Sequence, residues 1–171
     1  MIVKLATCPL KTQYGDYTEI LYYDGQNEAV AMVMGDIQSG ENVLCRIHSQ
    51  CIFGHYFNSI ECDCRAQMAS AQEAIQQAGK GIIILLEQEG KGNGHYALMQ
   101  SIPYKKQGMK QADAYVAAGF SSDARDFGAA GKILADLKVI SVQLLSDNKE
   151  KADAILKYGI GVKTSSYTHQ K

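Results

Sequence analysis

A chain of 171 residues can bury a real core in one domain, and 46% hydrophobic with 20% charged residues is a globular composition, not a disordered one. A formal net charge of −1 excludes a general nucleic-acid binder, which needs surplus Lys and Arg against phosphate, while leaving room for a local basic pocket. Five cysteines, an odd number, do not suit a disulfide framework; with no leader-like start and no membrane-length apolar run, the expected compartment is the cytoplasm, where thiols stay reduced.

In chain order, "YTEILYYDGQNEAVAMVMGDI" holds two strand-like runs around Asp24-Gly25 and predicts a hairpin. "NVLCRIHS" reads as a further strand leading into a cysteine-rich segment. From Cys64 to Gln77, the positions Met68, Ala71, Ala74 and Ile75 give a helical period. "KGIIILLEQE" is apolar on both faces, as in a strand covered on both sides, and "EGKGNG" follows it as a loop. A helix is expected around Tyr96 to Gln107, kinked or cut short by Pro103. Another is expected from near Asp123 to about Leu137. "VISVQLLS" predicts a strand, "NKEKADAILKYG" a helix stopped at Gly159, and "IGVKT" a last strand. The pattern is a single α/β domain over 1–171, with mixed β-sheets, a β-rich N-terminal part, flanking helices and a polar tail at 165–171.

Cys51, Cys62 and Cys64 have the spacing C-x10-C-x-C. Soft thiolates in a reducing compartment favour zinc. Three protein ligands with an open fourth position form a catalytic pattern, whereas a fourth ligand, His48 or His55, would make the site structural. Simple burial of the thiols is a third possibility. Three thiolates around Zn²⁺ leave a net negative centre, so a catalytic site needs a carboxylate or an arginine aimed at it from elsewhere. "EGKGNG" is no Walker loop, and glycines after a strand more often turn the chain than bind phosphate. Lys149 and Lys151 read as a solvated face or as part of an anion site.

"RIHSQC", "ECDC", "EQEGKGNG", "DARDF" and "LLSDNKEK", in this order from Val43 to Val162, resemble GTP cyclohydrolase II, the zinc enzyme that opens the imidazole ring of guanine at the entry to riboflavin synthesis. The resemblance implies Cys51, Cys62 and Cys64 as ligands of one Zn²⁺ per chain. It implies Asp123 as proton acceptor and Arg125 as nucleophile toward the α-phosphorus. Nucleotide contacts fall on Arg46, Ile47, His48, Ser49, Gln50, Gln67, Glu89, Gly90, Lys91, Gln111, Ser146 and Lys151. Mg²⁺ with the phosphates, a small-molecule nucleotide substrate and a homodimer are implied as well, with no nucleic-acid or membrane partner. The expected reaction on GTP releases pyrophosphate and formate. If Ser122 or Asp123 caps the following helix, Arg125 lies in its first turn, where the macrodipole disfavours a cation unless an anion or Asp126 offsets it.

The chain departs from the family pattern around these residues. His55 stands in an acidic place, Glu61 and Arg65 replace Arg and Gly around C-D-C, and Lys91 replaces Arg, which grips phosphate bidentately as Lys does not. The family's catalytic tyrosine falls on Ile102 and its threonine on Gln111. Tyr104, two helical positions on, is rotated by roughly 200°. Retained thiols and D-x-R within an altered shell suit an active cyclohydrolase. One alternative is a hydrolase of the same superfamily acting on another nucleotide or nucleobase. A second is a non-catalytic zinc-stabilised binding protein, with His48 or His55 closing the metal shell.

Overall fold

In the computed structural model, which describes residues 1–165, seven strands form one mixed sheet in the order β1-β2-β3-β5-β4-β6-β7. They are β1 (Val3–Thr12), β2 (Gly15–Tyr23), β3 (Glu28–Met34), β4 (Val43–Ser49), β5 (Gly81–Leu86), β6 (Ser141–Leu145) and β7 (Gly161–Ser165). β1, β2, β3 and β5 pair antiparallel in sequence, and β5, β4, β6 and β7 run parallel. The expected hairpin joins β2 to β3; the Asp24 carboxylate accepts from the amides of Gln26 and Asn27 and so closes the turn.

The central strand β5 shows why the chain folds this way. Ile82, Ile84 and Leu86 enter one apolar cluster with Ile133 and Leu134, while Ile83 on the opposite face meets Ala71 and Ile75. Strict alternation on the pleat feeds both faces, and each fully buried Ile contributes about 1.5–3 kcal/mol. β4 differs in a telling way: Val43, Cys45 and Ile47 join the first cluster, whereas the alternate positions Arg46 and His48 are polar and buried.

Six α-helices complete the described fold: α1 (Ile52–His55), α2 (Cys64–Ala78), α3 (His95–Lys106), α4 (Gln111–Ala117), α5 (Gly128–Asp136) and α6 (Lys149–Leu156). α2 ends at Gly79 in a left-handed cap. α3 continues through Pro103 instead of stopping there. Only three residues of the helix follow Pro103, so little helix depends on the missing N–H. Neither α1 nor α4 was expected from the sequence.

The helix expected from Asp123 begins only at Gly128, and Arg125 therefore lies in a loop, not in a helical first turn. Local side chains compete for the backbone donors that a helix would need. The Asp123 carboxylate accepts from the amide of Arg125 at 3.2 Å, Asp126 accepts from that of Gly128 at 2.8 Å, and the Asp126 amide donates to Gln88 at 3.0 Å. Ser165, expected in the polar tail, is the last residue of β7; the rest of that tail, 166–171, and His169 within it lie outside the described residues. No described helix is long and apolar enough to cross a membrane.

Candidate active site

In an open α/β sheet, ligands bind beyond the carboxyl ends of the parallel strands. Here the chain leaves β4 at Ser49 straight into Cys51, and leaves β5 at Leu86 into the Gln88–Lys91 loop. Between these ends lies a cavity of about 380 Å³, a size suited to a small-molecule ligand. Its lining holds Cys51, Cys62 and Cys64 together with Lys91, Lys105 and Arg125.

The three sulfurs lie within 4.8 Å of one another, with Cys51 and Cys62 Sγ 3.8 Å apart. Tetrahedral thiolates at ~2.3 Å from zinc stand ~3.8 Å from each other, so the trio fits that ion. Cys51 caps the start of α1, its Sγ accepting from the Gly54 amide at 3.4 Å, and Cys64 begins α2. A Cβ on Gly54 would approach Cys62 Sγ to 2.8 Å, so the absence of a side chain there makes the space for the trio. Burial pushes the Cys51 and Cys64 thiols up, and for Cys64 the neighbouring sulfurs push further. A divalent cation reverses that preference by stabilising the thiolates.

Neither histidine joins the sulfurs. His55 Nδ1 accepts from the Cys51 amide at 3.3 Å, which places its proton on Nε2, 3.0 Å from Nε2 of His48. His48 then accepts and keeps its proton on Nδ1, a buried atom with no partner among the described residues. Burial, with Arg46, His55 and Lys151 nearby, lowers His48 to about 3, and burial lowers His55 too, so the pair is neutral. With the two rings hydrogen-bonded to each other, the cluster of candidate metal ligands consists of the three sulfurs.

A hydrogen-bonded frame stands beside the trio, with Asp63 and Gln67 also in the cavity lining. Buried Arg46 donates from Nη2 to Gln67 Oε1 at 2.6 Å, Gln67 donates to Asp63 Oδ2 at 2.9 Å, and Asp63 stands between the last two cysteines. Arg46 Nη1 donates to the carbonyl of Leu145 at 2.6 Å. Glu89, 8% exposed, accepts from the Ile52 amide at the start of α1 and lies 3.4 Å from His95 Nδ1. Arg65 donates to the carbonyl of His55 at 2.9 Å.

Arg125, also in the lining, meets Asp123 through two parallel hydrogen bonds, Nε to Oδ1 at 2.8 Å and Nη2 to Oδ2 at 2.6 Å. Its carboxylate partner is thus Asp123, not the adjacent Asp126. Lys91 Nζ is 3.7 Å from the same Oδ2. Partial burial pushes the Asp123 carboxyl up, but the Arg125 hydrogen bonds and the Arg125 and Lys91 charges outweigh it and hold the group below the usual carboxylate range.

The glycine loop owes its shape to this neighbour. Gly92 sits at φ +81, and a Cβ on it would meet Ala124 O at 2.5 Å and Arg125 N at 2.8 Å, both backbone. Lys91, itself left-handed at φ 53, accepts at its carbonyl from the Ala124 amide at 2.8 Å. The loop is therefore a seat for the Asp123–Arg125 segment. Gly92→Ala should displace that segment, lowering stability by roughly 2 kcal/mol or more, to be read from denaturant unfolding.

Of the residues expected to contact nucleotide, Ser49, Gln50, Gln67, Glu89, Gly90, Lys91 and Gln111 line the cavity. Arg46, Ile47, His48, Ser146 and Lys151 are buried and do not line it, nor does Asp123. Gln111 donates to Ser101 Oγ at 3.1 Å. Ile102 lines the cavity and Tyr104 does not, in keeping with their angular separation on α3. Sequence reading passed over Gln88, which donates to Ser49 Oγ and accepts from the Asp126 amide, tying β4 to the Arg125 loop. Its place directly after the buried strand was a usable signal. It also passed over Tyr115, Phe53 and Leu98 in the lining.

Lys151 Nζ donates to the carbonyl of Ile47 at 2.9 Å and stands 5.4 Å from the Phe127 ring centre. Burial, then the Arg46 and Arg125 charges, lower it to about 7 from an ordinary 10.5. Above pH 7 the unfolded chain holds this proton more tightly than the folded one, so folding stability should rise with pH until thiol ionisation opposes it near 9. Lys151→Met should remove a slope of up to about 1.4 kcal/mol per pH unit. Denaturant unfolding of both proteins between those pH values gives the check, and equal slopes would refute it.

A family model described as GTP cyclohydrolase II matches residues 3–166. The chain is 40% identical over 164 residues to the GTP cyclohydrolase-2 of Streptomyces coelicolor, an alignment covering 94% of this chain and 74% of that one. It is 40% identical over 159 residues to the GTP cyclohydrolase-2 of Neisseria meningitidis serogroup A, covering 92% and 81%. With the riboflavin biosynthesis protein RibBA of Nocardia farcinica it shares 36% identity, covering 94% of this chain and 40% of that longer one. Among solved structures it resembles a two-domain 3,4-dihydroxy-2-butanone 4-phosphate synthase from A. baumannii, with a TM-score of 0.55 and 16% identity. That match covers 96% of this chain and 40% of that one, a likeness of fold alone.

Proposed function

This chain belongs to the GTP cyclohydrolase II family, and from that premise we propose that it is a zinc-dependent hydrolase that opens the imidazole ring of a purine nucleotide, GTP first among the candidates, with release of formate and pyrophosphate. The observation that carries this reading is the meeting of the sulfur trio and Arg125 on one cavity, from segments distant in sequence. Zinc, when bound by Cys51, Cys62 and Cys64, would supply Lewis acidity for hydrolysis at a ring carbon.

The chain's own residues divide the remaining work. Arg125 and Lys91 face the cavity as the anion-binding side, with Lys105 as a third cation in the lining. Asp123 is hydrogen-bonded to Arg125 and lies 3.7 Å from Lys91 Nζ. A bound α-phosphate competes for both cations, and release of Asp123 from them raises its basicity, which suits a proton acceptor. The α-phosphorus is the point at which Arg125 acts, and Mg²⁺ with the phosphates and a homodimer belong to the same reading. Gln67 and Arg46 brace the metal side through Asp63, so their part is to orient.

A second reading, a ring-opening hydrolase for another nucleotide or nucleobase, draws support from the apolar Ile102 and acidic Glu61 in the lining. The zinc-loaded protein incubated with GTP, other nucleotides and free bases separates the two, through formate, pyrophosphate and loss of purine absorbance. Formate and pyrophosphate from GTP are expected. Ring opening of another compound alone would favour the second reading, and silence across the panel would defeat both.

A further inference from the structure

Tyr115 lies on α4, 1% exposed, with its ring packed among Ala97 and Leu98 and against Phe53 and Phe120. A buried tyrosine ordinarily finds a partner for its hydroxyl. Here the hydroxyl has no side-chain or backbone partner among the described residues, yet it is not one of the buried atoms left unpaired, because it opens on the cavity. Glu89 is occupied by the Ile52 amide and His95, and Asp123 by Arg125 and Lys91. The side chain instead reaches the cavity wall, with its oxygen 3.4 Å from where a Cβ on Gly90 would stand. Burial, then the Glu89, Cys51 and Asp123 charges, push this phenol up to about 12, with Arg125 acting the other way. It is therefore a neutral O–H, able to donate at any pH in ordinary use.

We infer that Tyr115 is a substrate-contacting residue, whose hydroxyl donates a hydrogen bond to an acceptor on the bound purine nucleotide in the space between the sulfur trio and the Asp123–Arg125 pair. The inference rests on the function proposed above and adds a residue to it. A donor that already faces the cavity exchanges water for an acceptor on the ligand without rearrangement, and its position is fixed by the packing of the ring. Nucleotides lacking an acceptor at this place leave the donor unpaired and are disfavoured.

Tyr115→Phe removes one oxygen and keeps the ring in its packing. In the zinc-loaded protein the thermal midpoint and zinc content should match or exceed those of the parent. The Kd of a methylene-bridged GTP analogue, measured by calorimetry, should rise about tenfold, with kcat/KM for formate release falling at least as far. Unchanged binding and turnover in the variant, with an active parent, would overturn the role of Tyr115 alone. A loss of binding matched by a fall in thermal midpoint or zinc content would mark the oxygen as structural and overturn it too. A parent protein that neither binds nor opens any purine nucleotide would bring down the functional reading, and this inference with it.

Discussion

Cys62→Ser is expected to lose both bound zinc and formate release while the sheet stays folded. Cys62 Sγ is 3.8 Å from Cys51 Sγ over the gap left by Gly54, and neither His48 nor His55 belongs to the cluster of candidate ligands. A serine hydroxyl is shorter, harder and un-ionised near neutral pH, so it cannot stand in for a thiolate. Loss of a mere outer partner of a metal ligand costs about 10–100-fold in affinity, and loss of a ligand should exceed that. The three cysteines line the cavity and lie outside the main apolar clusters, so the fold does not depend on Cys62. Zinc content by atomic absorption, circular dichroism and a formate assay check the three parts. Full zinc occupancy with normal turnover would remove Cys62 from the metal.

Arg125→Ala should abolish pyrophosphate release while leaving zinc content untouched. The guanidinium is held in place by the two Asp123 hydrogen bonds and lies 5.3 Å from the Phe127 ring centre, so its position is set before any ligand arrives. Removal of one preorganised charge-stabilising donor typically costs 10²–10³-fold in turnover, and a fall of at least about a hundredfold is expected here. Lys91 remains near Asp123 in the variant, but an ammonium lacks the planar fork of Arg and should not rescue it. Pyrophosphate measured beside formate shows whether the two products fall together. Normal pyrophosphate release from Arg125→Ala would remove Arg125 from the phosphate chemistry.

These two variants touch one cavity, and its two groups of residues differed in how far the sequence revealed them. The cysteines were legible because metal ligation needs a particular residue type at short spacing, and C-x10-C-x-C carries both. Asp123 and Arg125 were legible as a pair, but their conformation was not. Alternating charge before an apolar helical run looks like a capped helix, and only the side-chain hydrogen bonds to the local backbone hold that run open until Gly128. Tyr115 was invisible because nothing in "QADAYVA" distinguishes a tyrosine in the site from one in the core.

The amino-acid pattern by itself determined the α/β class, the buried strand β5, the helix from Cys64 and the grouping of three thiols. Each follows from local periodicity, turn chemistry or ligand type, properties that neighbouring residues carry without reference to the rest of the chain. The tertiary structure alone decided three further matters. It turned His48 and His55 toward each other and away from the sulfurs, gave Gly92 the task of seating Arg125, and brought Tyr115 to the cavity wall. Contacts of this kind join segments separated by tens of residues, so they depend on how the strands are ordered in the sheet and how helices pack on it, which no local pattern encodes.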